Sequence, residues 1–527
     1  MKEKADFILI NGSVYTVDSS FTIKQAFAVG NGLFLATGTN EEILKSFKSD
    51  LVIDAAGKPV FPGLIDGHCH FYDYAIGLHL WINLKGTGSF DEILELLRNF
   101  NEKHPNTWIL GRGWDQNDWE LKEFPDRSVL DQVFPDIPVV LTRVDGHAVL
   151  ANAEALRRAG ITDQTKVNGG DVILKNGEMT GILLDNAADL MKGAIPEEEN
   201  LLKESALLEA QSNCFKVGLT SVVDAGLDFE TIRMIDSLQQ SGKLKMRINA
   251  MLSPTEQNLN EFVEKGAFQK ERLTVNSIKL YADGALGSRG ALLLEPYSDD
   301  PGNYGLLMSS PDYFRDIITK AYDKNFQVNT HCIGDSANRI ILHLYGEVLK
   351  GPNDRRWRIE HAQVVDPDDF PLFAKFNIIP SILSTHCTSD MPWAESRLGP
   401  ARVKGAYAYK KLLRQNGWLI NGTDFPVEEI NPMLTFYAAV ARMSENGYPK
   451  GGYQIENALN REEALRSMTI WVAKGSFEEN IKGSIEPGKY ADFIVLDKDI
   501  MTINLEEIPG VLILKTYLNG ELVYEAK

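Results

Sequence analysis

The sequence predicts an α/β protein: a (β/α)8 TIM barrel carrying a small β-sandwich domain formed from both chain termini. Three observations predict it. Apolar, β-branched runs alternate with helical stretches about eight times through the middle of the chain. The residues that end those runs are polar and reactive. Short strands punctuated by Asn-Gly occur at the two ends and not between them. The expected boundaries are 1–57 and 480–527 for the two parts of the sandwich and 58–479 for the barrel, with a lid insertion over 80–215.

The terminal pieces come first. Residues 7–10 run into Asn11-Gly12 and then Ser13-Val14-Tyr15-Thr16, and an Asn-Gly pair between β-type runs predicts a hairpin. Phe27-Ala28-Val29 and Leu33-Phe34-Leu35 flank a second such pair at Asn31-Gly32. At the far end, residues 491–496 read as a strand, and Thr516-Tyr517-Leu518 and Glu521-Leu522-Val523-Tyr524 surround Asn519-Gly520. One shared sandwich and two separate ribbons both satisfy this pattern; the shared sandwich is expected.

The barrel opens on Phe61-Pro62-Gly63-Leu64-Ile65-Asp66-Gly67-His68-Cys69-His70. Side chains alternate along a strand, so His68 and His70 project to one face. Two adjacent imidazoles suit a divalent metal, and zinc, manganese, iron and nickel all accept nitrogen ligands. Further runs cover 219–223, 246–251, 275–281, 327–330, 357–360, 378–383 and 418–421. They lead to Asp224-Ala225-Gly226, Ala282-Asp283-Gly284, His331, His361 and Gly422-Thr423-Asp424. A doubly wound open sheet is the other arrangement such alternation allows, but no Gly-x-Gly-x-x-Gly opens a helix after a first strand. His68, His70, Lys279, His331, His361 and Asp424 all fall at C-terminal strand ends, the catalytic face of a barrel. Charge buried there is costly unless it binds something.

The stretch 80–215 is far longer than a βα loop needs. It holds Ser89-Phe90-Asp91-Glu92, which reads as a capping box opening a helix. It also holds Gly111-Arg112-Gly113-Trp114-Asp115-Gln116-Asn117-Asp118-Trp119 and Arg143-Val144-Asp145-Gly146-His147-Ala148. An insertion after the first strand emerges over the catalytic face, so Trp114, Asp115 and His147 are expected to face a substrate. Local packing is the alternative for Trp114 and Trp119. His79, His104 and His343 are expected at the surface or in packing.

Composition sets limits. Hydrophobic content of 44% and charged content of 24% are those of a globular protein. A net charge of −19 argues against nucleic acid and anionic membrane surfaces. Four scattered Cys without Cys-x-x-Cys make a disulfide framework unexpected and favour a reducing compartment. The first residues lack a signal-peptide core, and no apolar run approaches a membrane span, so a cytoplasmic protein is expected.

These motifs, with Lys279-Leu280-Tyr281-Ala282-Asp283-Gly284, His331-Cys332-Ile333-Gly334-Asp335, Ile359-Glu360-His361-Ala362-Gln363, Thr423-Asp424-Phe425-Pro426-Val427 and the tail from Lys482-Gly483-Ser484 to Tyr490-Ala491-Asp492, resemble the amidohydrolase superfamily. The resemblance is strongest to its family 3 branch, which includes N-substituted formamide deformylases, and it covers nearly the whole chain. It implies a metal-dependent hydrolase of non-peptide carbon–nitrogen bonds, amide or N-substituted formamide, acting through metal-activated hydroxide. It implies His68, His70, Lys279, His331, His361 and Asp424 as ligands of one or two divalent ions, zinc first, with Lys279 carboxylated where two are bound. An ordinary amine pairing with Asp283 is the alternative for Lys279. Asp424, His331, His361 and Lys279 are the catalytic candidates; Asp424 would take and return the proton. His147, Trp114, Asp115 and His386 are the substrate-binding candidates. Leu383-Ser384 stands where relatives often have Gln-Pro, which departs from the pattern near His386. A mononuclear deaminase and a catalytically silent binding homologue are the competing functions. The expected partners are a small-molecule substrate and a second copy in a homodimer, with no nucleic acid and no membrane.

Overall fold

The protein is described from a computed structural model covering residues 2–105, 107–196 and 200–527. Eight parallel strands follow one another around the barrel: β1 (Leu64–Cys69), β2 (Leu219–Leu227), β3 (Arg247–Leu252), β4 (Leu273–Tyr281), β5 (Gln327–Cys332), β6 (Arg358–His361), β7 (Ile379–Leu383) and β8 (Ile420–Gly422). They match the eight predicted runs. Their outward side chains, such as Val222, Ile248, Ile278, Val328, Ile359 and Ile382, join the main core under the helices. Ile65, Val223, Met251, Ile379 and Ile420 form a separate inner cluster with Trp418 and Val472. Strands buried on both faces read as continuous apolar runs, which is why the sequence rhythm was visible.

Between β1 and β8 the barrel closes through bonds at the strand ends. Asp424 N–H donates to His68 O at 2.9 Å and His70 N–H to Phe425 O at 2.8 Å. The Asp66 carboxylate accepts from Thr423 Oγ1 at 2.7 Å and from the N–H of Thr423 and His68, both at 3.1 Å. Glycine is required on both sides of this seam. A Cβ on Gly67 would stand 2.3 Å from Ile420 Cγ2 and 2.7 Å from Asn421 O, and one on Gly422 would stand 2.5 Å from His68 N. Gly67→Ala is therefore expected to cost roughly 1–3 kcal/mol of stability, measured as a lower midpoint of thermal unfolding. An unchanged midpoint would show that the seam yields to a methyl group.

The two termini build one sandwich. Leu33–Gly38, Ala26–Gly30, Phe7–Ile10 and Val52–Asp54 form one sheet. Glu521–Glu525, Ile513–Leu518, Phe493–Leu496, Pro59–Pro62, Ser13–Tyr15 and Ile23–Lys24 form the other. Phe7, Phe27, Phe34, Phe493 and Tyr517 meet between them. The strand Pro59–Pro62 pairs with Phe493–Leu496, so the sandwich sheet runs past residue 57 to the edge of the barrel. Asn31-Gly32 and Asn519-Gly520 do close hairpins. Asn11-Gly12 does not: the chain turns there, with Asn11 at φ 57°, from one sheet into the other. Leu9 and Val14 on either side of it both enter the core between the sheets.

The insertion is a subdomain with its own sheet, in the order Ile82–Asn83, Ile109–Trp114, Val139–Arg143, Ala148–Ala151, Glu178–Asp185, Gly170–Lys175. Each face carries a core, one with Leu97, Trp119 and Leu141, the other with Val140, Leu156 and Leu183. It ends earlier than residue 215. The helix Asn200–Lys216 packs on Phe71–Leu80 and on β2, so it belongs to the barrel wall. Ser89 caps the helix Phe90–Lys103 by accepting from Glu92 N–H at 3.3 Å, but Glu92 turns back to Gly88 N–H at 2.8 Å, so only half of the capping box forms. The four cysteines are buried and unpaired. No helix among the described residues is long and apolar enough to cross a membrane.

Candidate metal centre and active site

The strand ends bring five of the predicted residues into one cluster, with Lys279 beneath. His68, His70 and Asp424 offer ligand atoms within 4.8 Å of one another, and so do His361, His386 and Asp424, so Asp424 is common to two groups. His70 Nε2 lies 3.3 Å and His68 Nε2 3.6 Å from Asp424 Oδ1. The His331 ring sits 4.3 Å from that of His361, centroid to centroid. Lys279 Nζ lies 3.1 Å from His68 Nε2, fully buried below the cavity floor. His361 and Asp424 hold φ of 70° and 64°. Such backbone is strained for residues other than glycine and tends to gather at functional sites.

A metal fits these residues. His331 Nε2, His361 Nδ1 and Asp424 Oδ1 are buried and accept or donate no hydrogen bond, a state that is costly unless a ligand satisfies them. Burial holds His331 and His361 well below the usual imidazole range, helped by His147 and Lys279 for the first and by the crowding of the other imidazoles for the second, so both present neutral nitrogens. For Asp424, burial would raise the pKa, but the hydrogen bond from His386 Nε2 to Oδ2 and the imidazoles gathered around the carboxylate outweigh it and hold the carboxyl well below its ordinary range. Imidazole and carboxylate donors in this mixture suit zinc and its first-row neighbours.

His386 takes a place the sequence did not suggest. Its Nε2 lies 3.0 Å from Asp424 Oδ2 and its Nδ1 2.9 Å from Glu428 Oε1. Both ring nitrogens are occupied, so His386 orients Asp424 and has no nitrogen left for a substrate. Burial opposes its protonation, yet the two carboxylates raise its pKa well above the usual value. Glu428 is held in turn by Ser389 Oγ at 2.6 Å.

Above this floor lies a cavity of about 710 Å³, a size suited to a small-molecule ligand. The insertion supplies one wall and the barrel loops the other. His147 lines it, with its ring 5.0 Å from that of His331. His147 Nδ1 pairs with Asp185 Oδ1 at 2.7 Å, which overcomes burial and raises the imidazole pKa. Among the described residues its Nε2 has no partner. Asp115 also lines the cavity, ion-paired with the buried Arg143, which holds Asp145 as well. Trp114 does not face the cavity. It is buried in the insertion's core, with its indole N–H donating to Leu141 O at 2.8 Å. The cause is a bulge at Gly113, φ 112°, where the pairing register shifts between Arg112 and Trp114. The extra residue turns Trp114 to the face opposite the one plain alternation would assign.

Three carboxylates escaped the sequence reading. Glu360 accepts from His68 Nδ1 at 2.5 Å, which fixes the tautomer and points Nε2 at the cluster. Its signal was its place between two barrel residues of a quoted motif. Glu428 stands four residues after Asp424. Asp185, with a strained φ of 50°, ends an insertion strand and carried no sequence signal.

A model of the amidohydrolase family matches residues 51–524. The chain is similar to the protein LONG AFTER FAR-RED 3 of Arabidopsis thaliana, with 32% identity over 542 residues, 99% of this chain and 92% of the relative. It is similar to an N-substituted formamide deformylase of Arthrobacter pascens, with 27% identity over 547 residues, 100% of this chain and 99% of the relative. Among solved structures, that of an uncharacterized metal-dependent hydrolase from Pyrococcus horikoshii has a TM-score of 0.76 and 29% identity, covering 95% of this chain and 99% of that one. With that match running through the barrel and both parts of the sandwich, this chain belongs to the amidohydrolase family and is a hydrolase of carbon–nitrogen bonds.

Proposed function

We propose that the protein hydrolyses a small amide of the N-substituted formamide type, R–NH–CHO + H2O → R–NH2 + HCOOH, with zinc at the barrel mouth. The observation that carries this reading is the set of buried, unpartnered atoms His331 Nε2, His361 Nδ1 and Asp424 Oδ1, beside the group of ligand atoms that His68, His70 and Asp424 form. His68, His70 and Asp424 would hold one ion; His331, His361 and Asp424 would hold a second. When bound, such an ion lowers the pKa of water and polarises a carbonyl. Asp424 accepts a proton from the attacking water and returns it to the leaving nitrogen. His386 keeps the carboxylate aimed while this happens. His147, held by Asp185, offers its Nε2 side to the carbonyl oxygen or the leaving group. The walls made by the insertion limit water in the cavity.

Lys279 suits carboxylation. Burial lowers its pKa to about 8, so the neutral amine that must attack carbon dioxide is accessible near neutral pH. Asp283 is not its partner: that carboxylate accepts from the N–H of Leu292 and Gly334 at 2.8 Å and of Ile333 at 3.0 Å. The formamide class is favoured by the similarity to the Arthrobacter deformylase along the full chain.

Elemental analysis and a formate-release assay test the reading. Protein prepared without chelator is expected to carry one or two equivalents of zinc and to release formate from N-substituted formamides. Chelation should abolish turnover and added zinc should restore it. A metal-free protein with full turnover would overturn the metal assignment, and formate-free turnover of other amides would overturn the substrate class.

A further inference from the structure

The charged groups that line the cavity pair off, with few exceptions. Among the described lining residues, Arg143 binds Asp115 and Asp145, His147 binds Asp185, and His386 binds Asp424 and Glu428. Lys85 binds Glu429 and Lys192 binds Asp189. Asp390 accepts from Tyr407 Oη at 2.7 Å and from Gln363 at 3.2 Å. Of the described arginines and lysines that line the cavity, Arg112 alone has neither a side-chain hydrogen bond nor an ion pair with another described residue. Its Nε is buried and unpartnered. Asp73 and Asp118 also line the cavity unpaired, but neither forms an ion pair with it.

The fold aims this guanidinium deliberately. Arg112 pairs in register with Thr142, which lines the same cavity. The Gly113 bulge separates it from Trp114, sending the indole inward and leaving Arg112 on the cavity side. A side chain at Gly113 would meet Lys85 Cγ at 2.6 Å, so the bulge depends on glycine. Trp81 supports the guanidinium from one side, with Cζ 5.0 Å from the ring centroid. Gly146 leaves space on another; a Cβ there would lie 3.1 Å from Arg112 Nη2. A planar, oriented guanidinium with free N–H groups matches a carboxylate in two-pronged fashion.

We propose that Arg112 is a specificity residue that anchors a carboxylate carried by the substrate, away from the bond that is cut. The class of substrate is then an N-formyl or N-acyl amino acid, or a close carboxylate-bearing analogue. This rests on the hydrolase reading given above for the same cavity.

Two compounds that differ only in the carboxylate test it: N-formylphenylalanine and N-formyl-2-phenylethylamine. The zinc-loaded enzyme is expected to favour the first by at least tenfold in kcat/KM, expressed in KM. Arg112→Met should lower kcat/KM for it by roughly 10- to 100-fold and leave the neutral compound within about twofold. Arg112→Gln serves as the second variant should the Met protein fail to fold. Equal loss on both compounds, or an enzyme indifferent to the carboxylate, would overturn the proposal. Should neither compound be hydrolysed, the deformylase reading falls, and calorimetric binding decides the anchor by itself. Tighter binding of N-formylphenylalanine that Arg112→Met abolishes supports the anchor; equal binding or none overturns it.

Discussion

Replacing Asp424 with Asn is expected to leave a folded barrel whose turnover falls by at least about a thousandfold, the range in which loss of a general base alone is felt. The carboxylate has two jobs that the amide cannot do. Its Oδ2 receives His386 at 3.0 Å and its Oδ1 faces His70 at 3.3 Å. Asn offers one acceptor oxygen and one NH2 group, so it can accept from His386 or leave an oxygen for an ion beside His70, but not both. It also cannot take a proton from water. The hydrogen bond from His386 and the surrounding imidazoles keep the Asp424 carboxylate ionised despite its burial; the amide brings no charge to hold ion ligands together. Steady-state kinetics, elemental analysis and circular dichroism on the same preparation separate the outcomes. Near-normal kcat with normal metal content would remove Asp424 from the proton-transfer role, whereas a lost circular-dichroism signature would mean that its bonds across the barrel cluster hold the fold.

The barrel was legible because its strands are buried on both sides and its chemistry stands at their ends. His68, His70, His331, His361 and Asp424 could be placed by counting runs. What could not be read were contacts made across the chain. Glu360 reaches His68 over 292 positions, and nothing local distinguishes a carboxylate that orients a histidine from one that faces a helix. Asp185 reaches His147 from the neighbouring strand of the insertion sheet, 38 positions along the chain. Trp114 was misplaced for a different reason. Lying in an insertion over the catalytic face does not say which side of the insertion sheet a residue takes, and the bulge at Gly113 sends Trp114 into the insertion's own core. Asn11-Gly12 shows the same limit for turns. The dipeptide predicts a reversal of backbone direction, but which sheet receives the next strand depends on Leu9 and Val14 sharing a core with strands near residue 493. The insertion ends earlier than the sequence suggests because nothing in the residues of Asn200–Lys216 marks them off from the segment before, and only the contact of this helix with Phe71–Leu80 shows that it covers the barrel.

Glu360 carries the second large expectation. Its side chain is fully buried, 2.5 Å from His68 Nδ1, with the Arg358 guanidinium 4.0 Å away and Lys279 close by. Burial alone would raise its pKa, yet His68, Arg358 and Lys279 outweigh that and hold it below the ordinary 4.5. Glu360→Leu leaves the buried cations without their counter-charge and frees the His68 ring to turn. Breaking a buried pair from one side costs about 3–5 kcal/mol, and loss of the group that orients a metal-binding histidine costs about 10- to 100-fold in metal affinity. The thermal midpoint of metal-free protein reads the first effect, and zinc titration against a competing chelator reads the second. Glu360→Gln keeps an acceptor for His68 and loses only the charge, so it should retain more metal affinity than Glu360→Leu. Acid provides a further check. Because the native pKa is depressed, the stabilisation is present in full above the value of about 4.3 for an unfolded glutamate and is lost as pH falls through the lower native value. Metal-free wild type should therefore lose its stability advantage over Glu360→Gln below about pH 4. A gap between the two proteins that stayed constant from neutral pH into that range would show that Glu360 is not ionised beneath His68.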